Sequence, residues 1–414
     1  MKASKSIALL CGSWITTFVA QSWAADPPVQ LPAKGASRSN SGRAPTSAGA
    51  AARSSASALS SADFALEGAT RSLGGAGAPS SVSPYMIGDF FSSAGQIVVS
   101  PEAVGTFGNL LVAELPNAGA SRRVKISENN SPIPRDRVFY SFNEFVNAVP
   151  LFELNQIDGA MDVDRHTPGF EKTFWDGLGS FEIRTPIAYT QNSRVFLGGD
   201  GPAKNTEFGN ISLALKFLLW EDDACAFAGG LGVNVPTADD SEIFQAGSPL
   251  LTIQNESLHL LPYAAFLWRP TALTYLQSFM QLDVDANGNM VVDVQDRPAG
   301  VLNEQTLLYI DISAGFWLYQ NPQARCVTGI TPTIEFHYTT TLQDADIVRV
   351  PMQGGSAGLG NSFNRLDIVN ATAGVHFWIG PRSVFTVAGG FPLGPSDEQR
   401  QFDAEIIAQF NRFF

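Results

Sequence analysis

The chain has 414 residues, a formal net charge of −13, 44% hydrophobic residues and only 16% charged ones. Ordinary soluble domains carry about 25% charged residues, so this chain stands apart from them. Its acidic balance excludes a nucleic-acid binder, whose partner's phosphates require a basic surface.

The first residues read as an export signal. Lys2 and Lys5 precede a mostly apolar run from Ile7 to Ala20, and Ser22-Trp23-Ala24 sets small residues at both cleavage positions. That is the three-part pattern of a signal peptide over residues 1–24, cleaved after Ala24. A lipoprotein site at Cys11 fits less well, because Leu10 is too bulky and the apolar run continues past the cysteine. Removal of the signal leaves Cys225 and Cys326, which form neither a disulfide framework nor a metal-ligand spacing. No later stretch reaches about 18 consecutive apolar residues, so spanning helices are not expected. With 29 Phe and 38 Gly, an exported chain of low charge points to a membrane barrel.

Residues 25–83 are a low-complexity tract, from about Ala33 onward mostly Ser, Ala, Gly and Arg. Such a stretch buries too little apolar area to offset its ordering entropy and is expected to be a disordered linker. It serves either as a passive spacer or as a tether through the cell-wall layer. Residues 84–136 have a different character. They hold Arg122, Arg123 and Lys125, with Arg135 further on, a basic cluster in an acidic protein. This N-terminal extension either enters the barrel as a plug, pairing those cations with interior carboxylates, or stays solvated in the periplasm.

From Arg137 to Phe414 the pattern becomes a series of alternating segments ending in Gly, Pro, Asn or Asp. Ile211, Leu213, Leu215, Phe217 and Leu219 share one face, opposite Ser212, Ala214 and Lys216. Strands are expected near Arg137–Ala148, Met161–Phe174, Gly179–Tyr189, Phe208–Trp220, Ala224–Val235 and Glu256–Trp268. Six more are expected near Thr271–Val284, Gln305–Tyr319, Arg325–Thr340, Asn364–Ile379, Arg382–Phe391 and Gln401–Phe414. A soluble sandwich also alternates, but its strands run about 5–6 residues, whereas tilted membrane strands need about 9–11. Tight turns such as Trp175–Leu178 and Gly380–Pro381 alternate with longer loops such as Pro236–Asn255 and Thr341–Phe363. The expected fold class is therefore all-β: a transmembrane antiparallel up-and-down barrel of about twelve strands in a bacterial outer membrane.

The last segment sets Phe402, Ile406, Phe410 and Phe414 on one face. A final amphipathic strand ending in Phe resembles the signal by which outer-membrane barrels are recognised, so lipid and the assembly machinery are expected partners.

Two families come into view here. Glu128-Asn129-Asn130-Ser131-Pro132, Asp136-Arg137-Val138-Phe139-Tyr140 and Pro168-Gly169-Phe170-Glu171-Lys172-Thr173-Phe174 resemble a group of outer-membrane proteins of planctomycete bacteria. Phe208-Gly209-Asn210 with Leu213, Leu215 and Lys216, and then Gly232-Val233-Asn234-Val235-Pro236-Thr237-Ala238-Asp239, fit the same group. That second stretch is also similar to the barrel family of the meta-cleavage pathway of phenol degradation. The resemblance runs from about Pro84 to the C-terminus and implies a barrel and its location, without catalytic or ligand residues.

If the apolar faces meet lipid, the opposite faces line a lumen. Its expected lining is Glu182, Arg184, Lys216, Asp283, Asp311, Glu335, His337, Asp403 and Glu405, with Asp367 and Asp403 alternatively interfacial. The acidic excess would favour cations in a wet channel, although barrel interiors also carry charges merely for cross-strand pairing. Asp283, Asp285, Asn287 and Asp293 open like a calcium loop, yet Val294 stands where the closing Glu belongs, and a polar hairpin at Asn287-Gly288 is the alternative. No histidine lies in a zinc-type spacing or beside a nucleophile motif, and Glu335 with His337 reads more simply as a salt bridge than as an acid–base pair. No cofactor is expected. The functional expectation is a non-enzymatic channel for small solutes through a polar, mainly acidic lumen. The alternatives are passage of apolar or aromatic compounds, or a closed structural or adhesion barrel acting through its surface loops. Oligomeric state is not legible.

Overall fold

A computed structural model of the chain describes residues 83–89, 96–99, 111–114, 123–153, 156–189, 193–197, 206–245, 247–352, 355–361, 364–394 and 400–414. The signal peptide and nearly all of the low-complexity tract therefore lie outside the described residues, as does Arg122. The largest sheet has fifteen strands, of which three short ones extend or flank others, leaving twelve around a closed antiparallel wall. These are β1 (Arg137–Glu153), β2 (Gln156–Phe174), β3 (Gly179–Arg184), β4 (Ile211–Glu221), β5 (Cys225–Val235) and β6 (His259–Trp268). The circuit continues with β7 (Thr274–Asp285), β8 (Leu307–Phe316), β9 (Val327–Thr341), β10 (Asp367–Ile379), β11 (Ser383–Pro392) and β12 (Ala404–Phe413). Each pairs with its sequence neighbour, and β12 closes on β1 with Phe413 opposite Arg137. Every expected strand is present.

Polarity is inverted relative to a soluble protein. Along β9, Glu335 and His337 are buried while Ile334, Phe336 and Tyr338 are exposed. The same holds on β8 for Asp311 against Ile312, and on β4 for Lys216 against Leu215. A closed wall leaves no unpaired backbone to lipid, and apolar side chains outward with polar ones inward suit hydrocarbon. This arrangement places the chain in a bacterial outer membrane. Among the described residues no helix is long and apolar enough to cross a membrane.

The outer end departs from the sequence expectation. Val149–Glu153 and Gln156–Ala160, expected to belong to a connection, instead prolong β1 and β2 into a long hairpin that pairs out to Glu153 opposite Gln156. The long loops are largely strand as well. Arg194–Leu197, Ser241–Gln245, Ser248–Ile253, Asn289–Asp293 and Pro298–Leu302 form a five-stranded sheet. Val348–Met352 and Gly355–Gly360 pair with Gln96–Val99 and Leu111–Glu114 in a four-stranded one. Buried apolar residues from both sheets, among them Ile97, Val99, Ile243, Leu251, Val350 and Leu359, make one hydrophobic core beyond the barrel wall. These strands are 4–6 residues long, too short for periodicity to separate them from loop. Some of their pairings, such as Gln96–Val99 with Gly355–Gly360 and Ser248–Ile253 with Asn289–Asp293, also join segments remote in sequence.

The outward placement of Phe336, half-exposed near the middle of β9, yields a test. Phe336→Arg should destabilise the lipid-embedded barrel by about 2–4 kcal/mol, measured by denaturant titration in lipid, whereas the same change at exposed Leu342 beyond the strand should cost far less.

Candidate functional site in the barrel interior

The interior holds two described pieces of the N-terminal extension, residues 83–89 and 123–135, together called the strap. The first piece climbs. Tyr85 stacks on Phe413 at 5.8 Å, at the short-turn end of the wall. Higher up, Glu335 accepts the backbone N–H groups of Ile87 (2.9 Å) and Gly88 (3.0 Å). Higher still, Asp89 accepts from Asn370 Nδ2 at 2.8 Å. The second piece descends from Arg123, 3.3 Å from Asp283, to Ile133, which packs with Ala226, Leu267 and Tyr275 at the short-turn end. The pieces are joined to each other by Met86 N–H on Asn130 O (2.8 Å) and by Lys125 Nζ on Asp89 (2.9 Å).

Nearly every charge in this space has an opposite partner. Lys125 Nζ also donates to Asp311 Oδ1 at 3.0 Å, and Ser127 Oγ takes the other oxygen at 2.7 Å. Arg165 Nη2 holds Glu128 at 2.8 Å. Lys216 Nζ reaches Glu171 (3.0 Å) and Asn130 Oδ1 (2.6 Å).

Arg137, the first residue of the wall, is the densest node. Its guanidinium lies between the rings of Tyr85 and Phe139, each 4.1 Å away. It donates to Glu171 on β2 (2.7 Å), Glu182 on β3 (2.6 Å), Asn129 O of the strap (2.8 Å) and Asn411 on β12 (2.7 Å). One fully buried side chain therefore ties four wall strands and the strap together. The planar five-donor fork of arginine suits it to this position, where a lysine would leave partners unmet.

Glu182, Arg184, Lys216, Asp283, Asp311, Glu335, His337 and Glu405 are all buried and face inward. Asp403 does not: it is exposed beyond the end of β12 and accepts from Asn147 Nδ2 at 2.6 Å. Asp367 is likewise exposed at the rim, holding Tyr338. In the final segment Ile406, Phe410 and Phe414 point outward, but Phe402 precedes the strand and is buried against Phe145. Alternation holds only while the backbone is extended, and at Phe402 it is not yet so.

The calcium-like residues do not converge. Asp283 is held by His259 Nδ1 at 2.6 Å, Asp285 accepts the N–H groups of Gly288 and Glu304, and Asp293 is bound by Arg297. Asn287 Oδ1 takes the N–H of Leu258, and Gly288 supplies the positive φ of 69° that the turn requires. Asn287-Gly288 is a polar turn but not the hairpin expected, because the strand after it, Asn289–Asp293, pairs with Pro298–Leu302 and Ser248–Ile253 and not with β7. Among the described residues, Asp89, Asp311 and His337 do bring ligand-type atoms within 4.8 Å of one another, but the Lys125 ammonium sits on both carboxylates. Glu335 also accepts from the strap backbone and His337 Nδ1 lies on Asp311, while His337 Nε2 stands 3.5 Å from Glu335 Oε2, the ion pair expected of them.

Several interior residues were not singled out from sequence: Asp89, Glu128, Arg137, Arg165 and Glu171. The last two follow from two-residue steps along β2 opposite exposed Phe170, so the signal was present. Asp89 and Glu128 lie outside any strand, and no periodicity marks them.

One wall differs in character. Ala214, Ala228, Leu261, Tyr263 and Phe279 on β4–β7 face Met86 and Ile126 of the strap in a buried apolar cluster.

No family model matches the sequence, and no curated protein matches it either. Among solved structures, an outer-membrane channel from Pseudomonas putida F1 is similar with a TM-score of 0.45 at 8% identity, over 68% of this chain and 96% of that one. The NanC porin follows at 0.37 and 6%, covering 67% and 99%. The toluene transporter TodX of Pseudomonas putida stands at 0.35 and 7%, covering 67% and 88%. With all three TM-scores below 0.5, no property of these proteins is carried over to this chain. Nothing in them bears on the planctomycete resemblance.

Removing the strap's central cation tests the network. Lys125→Met should cost about 3–5 kcal/mol, because Asp89 and Asp311 would stay buried without their partner. Lys125→Met with Asp311→Asn should recover part of that loss in thermal unfolding.

Proposed function

We propose that this protein is an outer-membrane channel for small solutes, held closed in this conformation by its own N-terminal strap. The observation that carries the reading is the strap's position. Residues 83–89 and 123–135 occupy the interior from one end of the wall to the other, bonded to inward side chains of β1, β3, β7–β10 and β12. Arg123 and Lys125 act as plug residues toward Asp283 and Asp311. The wall has twelve strands, more than the roughly eight whose side chains alone fill the bore, so the strap is what occludes it. Opening the path means separating strap from wall, which uncovers Asp283, Asp311, Glu335 and Glu405 to water. The open lumen is then mainly acidic and selects cations.

The apolar face of β4–β7 against Met86 and Ile126 favours a second reading, in which apolar compounds pass along that face once the strap withdraws. The exposed C-terminal face of Ile406, Phe410 and Phe414 is assigned to recognition by the assembly machinery and then to lipid contact.

Planar-bilayer recording separates these readings. Replacing residues 123–131 by a Gly-Ser spacer of equal length should convert a nearly silent barrel into one with stable, cation-preferring conductance steps. Steps without ion preference, together with uptake of apolar dyes into vesicles, would favour the second reading. A folded but silent variant would sink the channel altogether and leave a structural barrel.

A further inference from the structure

The strap does not end inside the barrel. Asp89 is bonded in the interior, whereas Gln96–Val99 is a strand of the outer four-stranded sheet. It lies between Leu111–Glu114 and the loop strand Gly355–Gly360, with Ile97 opposite Leu359 and Val99 opposite Ala357. By Arg123 the chain is back in the interior. Ile97 and Val99 are themselves part of the hydrophobic core beyond the wall, together with Val350, Leu359, Ile243 and Val291 from three different surface loops. The apex of the strap is thus a structural member of the surface loops, while its two limbs occupy the bore.

We infer that the outer sheet is the latch of the gate: the strap stays in the bore because the surface loops hold its apex. This rests on the closed-channel reading above. Its physical basis is the contrast between the two anchorages. Within the bore, the limbs are held mostly by polar bonds, which water and solute ions can replace once they enter, with Met86, Ile126 and Ile133 adding smaller apolar contacts. At the apex the anchorage is buried apolar surface plus a β-ladder, and water offers no substitute for the former. The geometry also limits how the gate moves. Arg137, directly after the descending limb, is a wall residue with partners on β2, β3 and β12. The strap therefore cannot leave through the short-turn end while its apex is engaged, and the surface loops control whether it is engaged. A ligand or partner that rearranges the loop strands would open the channel without touching the bore.

The test separates the latch from the channel. Cysteines are introduced at paired positions Val98 and Gly358 in a Cys225→Ser, Cys326→Ser background, so that an oxidised bridge fixes the apex to the loop. A Cβ at Gly358 meets nothing closer than 3.8 Å, so the pair can be accommodated. Separately, Ile97→Asp places a charge in the outer core. Ile97→Asp should raise the open fraction on the order of tenfold over the parent, with the folded barrel verified by its heat-dependent gel shift. Adding the oxidised Val98–Gly358 bridge should return the open fraction to the parent value, and reduction should release it again. If Ile97→Asp fails to fold, Ile97→Ala serves in its place with a smaller rise in the same direction. Should these variants stay as silent as the parent while the spacer variant of residues 123–131 conducts, the latch is overturned and the channel stands. Should the spacer variant be silent too, both fall.

Discussion

The constraint on which this structure depends is that an interior shut off from water must satisfy its own charges. A wall with lipid outside has to turn its polar side chains inward, and a narrow bore filled by protein gives them no solvent. An unpaired buried charge costs several kcal/mol, so the wall carboxylates need cations delivered to them. The strap supplies Arg123 and Lys125, and its backbone N–H groups at Ile87 and Gly88 meet Glu335. The wall reciprocates with Arg165 for Glu128 and Lys216 for Asn130. Strap and wall are therefore complementary halves of one neutralised set, and neither half is electrically complete alone.

The same constraint accounts for what the sequence made legible. Lipid on one side and a polar bore on the other impose a two-residue period that extends over the full height of the wall. Leu213, Leu215 and Phe217 against Ser212 and Lys216 already declare β4, and β9 and β12 are as plain. Wherever that two-sided environment stops, the signal stops with it. Phe402 and Asp403 lie just outside β12, and both depart from the faces that extrapolated alternation assigns them. Val149–Ala160 carries Pro150 and Gly159 and reads as a turn, yet Val149–Glu153 pairs with Gln156–Ala160 because the two are adjacent in sequence.

The outer core was hidden for a different reason. Leu250-Leu251-Thr252-Ile253 and Met290-Val291-Val292 are apolar enough to be strands, but each is short and one of its two neighbours comes from another loop. Local pattern cannot specify such pairings. Interior partners divide along the same line. Arg165 and Glu171 were open to inference from their parity on β2. Asp89 and Glu128 were not, since their positions are set by the wall they meet. The basic cluster at Arg123 and Lys125 was informative because cations are scarce in an acidic chain and invite the question of what they neutralise.

Arg137 has an implication for the order in which the molecule is built. It stands at the seam, where the first wall strand meets the last, and it also grips Asn129 of the strap and Asn411 of β12. These groups are brought together across almost the whole length of the folded chain, and such distant contacts form late. A seam that closed around an empty bore would leave this guanidinium short of an acceptor and Glu128, on the strap, without its base. The bonds of the seam are thus complete only with the strap in the bore, much as a ring is finished around a bolt rather than slipped over it.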